Sequence, residues 1–209
     1  MKASKNKNLI VRMTYLAVLT AIIVVLQLVG VGIKLPFLAT PVSLVLVPIV
    51  LGACLLGPMA GAFLGFVFGL IVTITCCFMG MDPTFTGILF QAHPIITVLL
   101  CLSKSTLAGL ASGFVYKAFE KCSSALRIVG TFLAAAVAPI VNTGVFIIGC
   151  FVMRDTFEAN FVASGSTMIY VLFIGIAGLN FVFEFLINMI FAPALKTIIQ
   201  VVNKQILKK

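Results

Sequence analysis

The stretch Val47-Pro-Ile-Val-Leu-Gly-Ala-Cys-Leu-Leu-Gly-Pro-Met-Ala-Gly61 decides the fold. It carries no charged side chain, and Gly57-Pro58 divides it into two apolar arms. A Gly-Pro step between apolar runs marks a tight turn, with proline well suited to the first position of the helix that follows. Beyond the turn a glycine recurs every four residues, at Gly57, Gly61, Gly65 and Gly69. That spacing keeps the four close to one helix face. In lipid, where no water drives helices together, small residues let two backbones approach closely. The ladder therefore reads as a packing face, turned either to another helix of this chain or to a partner subunit.

The same apolar character runs through the whole chain. Of 209 residues, 62% are hydrophobic and only 9% charged, against about 25% charged in a soluble domain. Mean hydropathy is +1.28. A bilayer-spanning helix needs about 20 apolar residues, so six spans use most of the length and leave no room for a sizeable soluble domain. The predicted fold class is all-α: one polytopic transmembrane domain over residues 1–209, with a basic N-terminus at 1–8 and a basic tail at 195–209. The predicted spans are 9–32, 41–56, 59–78, 94–119, 127–152 and 167–191. The first is too long for a signal-peptide core and lacks a cleavage site, so it reads as a retained helix. Lys34 and Pro36 mark a loop, and the second span is short and carries Pro41 and Pro48. Residues 79–93 read as a polar loop. Pro193 is expected to end or kink the last span.

The net charge of +9 is distributed as topology signals, not as a nucleic-acid surface. Lys and Arg sit at the ends of apolar runs, without a basic stripe interleaved with aromatics. One side of the membrane receives eleven of them: Lys2, Lys5, Lys7, Arg12, Lys117, Lys121, Arg127, Lys196, Lys204, Lys208 and Lys209. The other receives Lys34 and Arg154. This asymmetry puts both termini in the cytoplasm. Six cysteines lie mostly inside apolar runs, where Cys acts as a small hydrophobe. A bridge from Cys76 or Cys77 to Cys150 is conceivable, since all three fall near one membrane face.

Polar residues concentrate in the last three spans. Lys104 lies between Ser103 and Ser105; Asn142 and Thr143 follow Pro139 by about one turn; Asn180, Glu184 and Asn188 are spaced four apart on one helix face. A charge at the bilayer centre costs about 2.5–3.5 kcal/mol on insertion scales, so these groups should face the bundle interior or a wet cavity. Lys104 and Glu184 fall at similar depths, thirteen and twelve residues from the cytoplasmic lysines Lys117 and Lys196. They form either a structural ion pair or part of a pocket in which Lys104 meets a substrate carboxylate and Glu184 accepts from hydroxyl or amide groups. Gln91 and His93 are further candidates at the outer mouth, with Asp82 nearby and Phe85, Phe90 and Phe146 available for stacking.

Enzyme signatures are missing. Gly52 and Gly57 have P-loop spacing, but Pro58-Met59 follows where Lys and Ser/Thr are required. Gly109-Leu-Ala-Ser112-Gly113 displaces the serine of a nucleophile elbow. No metal-binding motif and no cofactor signature appear.

These residues together resemble the substrate-binding S component of energy-coupling factor (ECF) transporters, which import vitamins. The resemblance rests on a length of about 200 residues, six spans, both termini inside, the pair Ala17-x-x-x-Ala21, and the Val47–Gly61 stretch leading into Gly65. It implies an S-component-like bundle in a bacterial plasma membrane, high-affinity vitamin capture from outside, and docking on a transmembrane T subunit through spans one to three. It also implies two cytoplasmic ATPases as separate chains, in keeping with the missing ATP motif. The pocket is expected in the outer parts of spans four to six. The chain has no Trp, and a Lys among amides and hydroxyls suits a small acidic vitamin: pantothenate first, folate or a biotin-like carboxylate next. The alternatives are a small proton-coupled secondary transporter, using Lys104 and Glu184 as a relay, and a membrane scaffold without a ligand.

Overall fold

The computed structural model describes residues 2–32, 44–163 and 165–205. Its elements are α1 (Lys2–Gly32), α2 (Leu46–Leu56), α3 (Pro58–Val72), α4 (Thr86–Ala92), α5 (Pro94–Phe119), α6 (Ser124–Val152), α7 (Arg154–Phe161), α8 (Met168–Tyr170) and α9 (Ala177–Gln205). π-helical turns extend α3 over Thr73–Phe78 and join α8 to α9 over Val171–Ile176. No strand occurs among the described residues. Five helical stretches are long and apolar enough to cross a membrane: Leu9–Gly30, Pro58–Phe78, Pro94–Phe119, Ser124–Val152 and Met168–Val202. The sixth apolar segment is the eleven-residue α2. At 1.5 Å per residue it spans about 16 Å, half the hydrocarbon core. The chain is a multi-pass helical membrane protein.

The α2–α3 turn follows from its sequence. Gly57 has φ 102°, a conformation glycine adopts without steric penalty. Pro58 takes the first position of α3, where a helix has no use for its N–H. The last carbonyls of α2 need outside donors. Gly57 N–H donates to Ala53 O at 3.1 Å, and Arg12 Nη2 donates to Leu56 O at 2.6 Å, tying α1 to the turn.

The glycine ladder packs inside the molecule. A Cβ on Gly61 would run into the carbonyl oxygen of Gly109, one on Gly65 into that of Ser105, and one on Gly69 would lie 2.5 Å from that of Cys101. Gly109 meets Gly61 reciprocally, and Gly113 meets Pro58. Two antiparallel helices therefore present small residues at matching four-residue intervals, and their backbones touch along most of α3.

Several expected boundaries shift. Lys34, Pro36 and Pro41 lie outside the described residues. The second helix starts at Leu46, so Pro48 falls in its first turn. The polar stretch 79–93 contains α4, and the Asp82 carboxylate, four residues before it begins, accepts from Thr86 N–H at 3.1 Å and Thr86 Oγ1 at 2.7 Å. Pro193 does not end the last helix, which continues to Gln205. A proline removes one backbone donor, and a membrane helix tolerates that locally. All six cysteines are free. Cys76 packs with Cys101 in one apolar cluster and Cys150 in another, with Phe85 and Phe157, so the conceivable bridge does not form.

Candidate functional site

Three helices converge their polar side chains in the bundle interior. α5 supplies Lys104, α6 supplies Asn142 and Thr143, and α9 supplies Asn180, Glu184 and Asn188. The four-residue spacing on α9 does what a helix face requires: Glu184 is only 2% exposed, and Asn188 is fully buried. Asn142 Nδ2 donates to Glu184 Oε2 at 3.2 Å, and Asn180 Nδ2 to Glu184 Oε1 at 3.2 Å. Asn188 Nδ2 donates to the Glu184 backbone carbonyl at 2.8 Å. The Oδ1 atoms of all three asparagines are buried without a hydrogen-bond partner, as is Ser105 Oγ.

Two adjoining cavities sit at this convergence. The larger, about 70 Å³, is lined by Lys104, Asn142, Asn180 and Glu184 on one side, and by Gln27, Phe68, Val72, Cys76, Asp82 and Thr86 on the other. The smaller, about 30 Å³, shares Lys104, Asn142 and Asn180 and adds Thr143, Phe146 and Ile176. Lys104 Nζ lies 5.6 Å from the centroid of the Phe146 ring, within the range of cation–π attraction. Phe146 in turn packs on Phe85, which contacts Phe157 and Phe161. An aromatic cluster from the two loop helices thus backs the cationic side of the site. Asp82 is 2% exposed, and Thr84 Oγ1 and both donors of Thr86 satisfy it.

Lys104, Asn142, Thr143, Asn180 and Glu184 are brought together. Gln91 and His93 are not: neither lines these cavities, Gln91 is exposed, and the His93 carbonyl accepts from Thr97 N–H and Oγ1 at the start of α5. Phe90 pairs with Phe78 away from the site. The cavity wall also reaches into the first half of the chain, through Gln27 on α1 and Cys76 on the π turn after α3. Gln27 was the readable signal, the only amide in the span 9–32. Among the described residues no group of His, Cys, Asp and Glu is placed to hold a metal ion.

A family model for the substrate-specific component of ECF transporters matches residues 11–199, from the first helix to the last. The chain belongs to that family. No curated protein and no solved structure matches it. The family is one of transporter subunits, which agrees with a site built from a cation, a carboxylate and carboxamides around a cavity inside a membrane bundle.

The expected partner-facing residues of this S component divide in two. Ala17 and Ala21 are exposed on α1, whose outer face also shows Met13, Val18, Ile22 and Val25. Gly61, Gly65 and Gly69 pack against the backbone of α5, which is the intrachain alternative for the ladder; Gly57 forms the turn.

Proposed function

We propose that this S component captures a small vitamin bearing a carboxylate, pantothenate first and folate or a biotin-like acid next, from outside a bacterial plasma membrane. It delivers the vitamin inward with a T subunit and two cytoplasmic ATPases. The observation that carries the reading is Lys104 on the wall of a buried polar cavity shared with Asn142, Asn180 and Glu184. An ammonium there is a charge-assisted partner for a carboxylate, and amides and hydroxyls beside it suit the polar middle of such a vitamin. The cavities of about 70 and 30 Å³ are well below the roughly 300 Å³ of an ordinary ligand site, so binding requires the walls to part. The exposed α1 face with Ala17 and Ala21 is left for the T subunit.

The test is pantothenate titration of the purified protein in detergent, with Lys104→Ala beside it. A hydrogen bond to a charged group contributes about 1.5–3 kcal/mol, which is a loss of roughly tenfold or more in affinity. Absent pantothenate binding, or an unchanged affinity in Lys104→Ala, sinks this assignment.

A further inference from the structure

We propose that Glu184 sets the hydrogen-bond polarity of the cavity, so that its ligand is a molecule presenting N–H or O–H donors to the carbonyl oxygens of Asn142 and Asn180. The inference rests on the reading of this cavity as the substrate site. It assigns Glu184 a positioning role, acting through the two amides that touch ligand.

A carboxylate offers only acceptors, whereas a carboxamide offers two donors on nitrogen and an acceptor on oxygen. Any asparagine beside a carboxylate must therefore turn its NH2 toward it. Asn142, from α6, and Asn180, one turn before Glu184 on α9, each do so, one to each carboxylate oxygen. Asn188, one turn after, turns its NH2 to the Glu184 backbone carbonyl. With all three NH2 groups committed, their Oδ1 atoms are directed elsewhere, and all three are buried without a partner. Native interiors rarely leave such acceptors unsatisfied without a reason. Asn142 is 6% exposed, and both it and Asn180 line the cavity.

The other charged groups on the cavity wall do not supply the missing donors. Asp82 is itself an acceptor, held by Thr84 and Thr86. Lys104 is a donor, but both amide oxygens lack it as a partner, and its ammonium is placed over Phe146. The cavity therefore offers two unlike kinds of group side by side. Lys104 takes an anion or carbonyl, and the Asn142 and Asn180 oxygens take hydroxyls, amide N–H groups or an amine. A ligand that sets ether or ester oxygens against those amide oxygens meets acceptor against acceptor and is rejected.

Two arms test this. The first uses asparagine-selective 15N labelling of the whole protein in nanodiscs, without ligand. The side-chain NH2 signals of Asn142 and Asn180 should exchange with deuterated water far more slowly than that of exposed Asn160, and should shift in Glu184→Gln, whose own NH2 lets one asparagine turn over. Fast exchange of both in the wild-type protein, or no shift in a folded Glu184→Gln, overturns the proposal. The second arm compares pantothenate with an analogue lacking its two hydroxyls. Wild-type protein should bind the analogue about tenfold more weakly, and Glu184→Gln should reduce that preference to within about twofold. An equal affinity for the two ligands in the wild type also overturns it. If pantothenate does not bind at all, the vitamin assignment fails, while the exchange experiment still decides the polarity. A Glu184→Gln protein that does not fold leaves the wild-type exchange rates and the wild-type ligand preference to decide it.

Discussion

Asn142 and Glu184 are 42 residues apart in sequence, and their side chains meet at 3.2 Å across the α6–α9 contact. The carboxylate is almost fully enclosed, so the amide is a replacement for water. Asn142→Leu should leave the buried carboxylate short of a donor and destabilise the protein by about 1–3 kcal/mol. Adding Glu184→Met should restore part of that loss, because it removes the under-satisfied buried carboxylate, and only part, because Asn180 Nδ2 then loses its acceptor. Thermal unfolding of the two single variants and the double variant gives the coupling. Simple additivity of the two losses would mean the pair is not an energetic unit.

The α3–α5 contact predicts a different sensitivity. A methyl group on Gly65 has no room, because the Ser105 carbonyl occupies its place, and backbone cannot swing aside as a side chain can. Gly65→Ala should cost about 1–3 kcal/mol by overpacking, read as a lower melting temperature. Gly144→Ala, where a Cβ would meet nothing within 4 Å, is the control and should be near neutral.

These two contacts also show how far sequence reading reaches. The spans were legible from apolar length, and Lys104, Asn142, Thr143, Asn180 and Glu184 from the rarity of polar groups at membrane depth. Helix periodicity gave the α9 face. The ladder on α3 was readable, but its complement on α5, at Cys101, Ser105, Gly109 and Gly113, was not. Mixed Cys, Ser and Gly spacing looks ordinary until a second helix is laid against it. The loop helices α4 and α7 escaped for a related reason. They are short, and Asp82 and the aromatic cluster around Phe85 hold them through contacts that periodicity does not encode. Gln91 and His93 were chosen by polarity near the outer mouth, but Gln91 sits exposed on α4 and His93 just before α5, and neither lines the cavity.

Asp82 illustrates how a loop residue supports the site from outside it. Its carboxylate holds the first N–H of α4 and the hydroxyls of Thr84 and Thr86. Asp82→Ala should remove this cap at about 0.5–2 kcal/mol, loosening α4 and with it Phe85, which packs on Phe146 beside Lys104. Asp82→Asn keeps an acceptor and should retain much of the stability. Hydrogen exchange across Thr86–Ala92 reads the effect locally. Equal protection in Asp82→Ala and wild type would show that the aromatic cluster alone holds the helix.

The charge asymmetry makes the orientation testable with a native cysteine. Cys122 lies in the turn between α5 and α6, beside Lys121 and Arg127, and is partly exposed. A membrane-impermeant maleimide should label Cys122 in inside-out vesicles and not in intact cells, located by peptide mass mapping. Labelling from the outside would invert the topology and place the cavity's loop helices in the cytoplasm.

Ala17 and Ala21 are the residues at which stability and assembly should separate. Both are exposed on α1, the span least buried against the rest of the chain, at 11% of its apolar window. A bulkier side chain there has only lipid to displace, so Ala17→Leu with Ala21→Leu should leave the melting temperature of the isolated protein within about 0.5 kcal/mol of wild type, as for surface changes generally. A partner helix that approaches this face closely has no such freedom, since small residues are what permit the approach. Co-purification from native membranes should therefore recover the transmembrane T subunit and two ATPases with the wild-type chain and lose them with the double variant. Retention of the partners would place the docking surface elsewhere on the bundle. A loss accompanied by a large fall in melting temperature would instead make these alanines part of the chain's own packing.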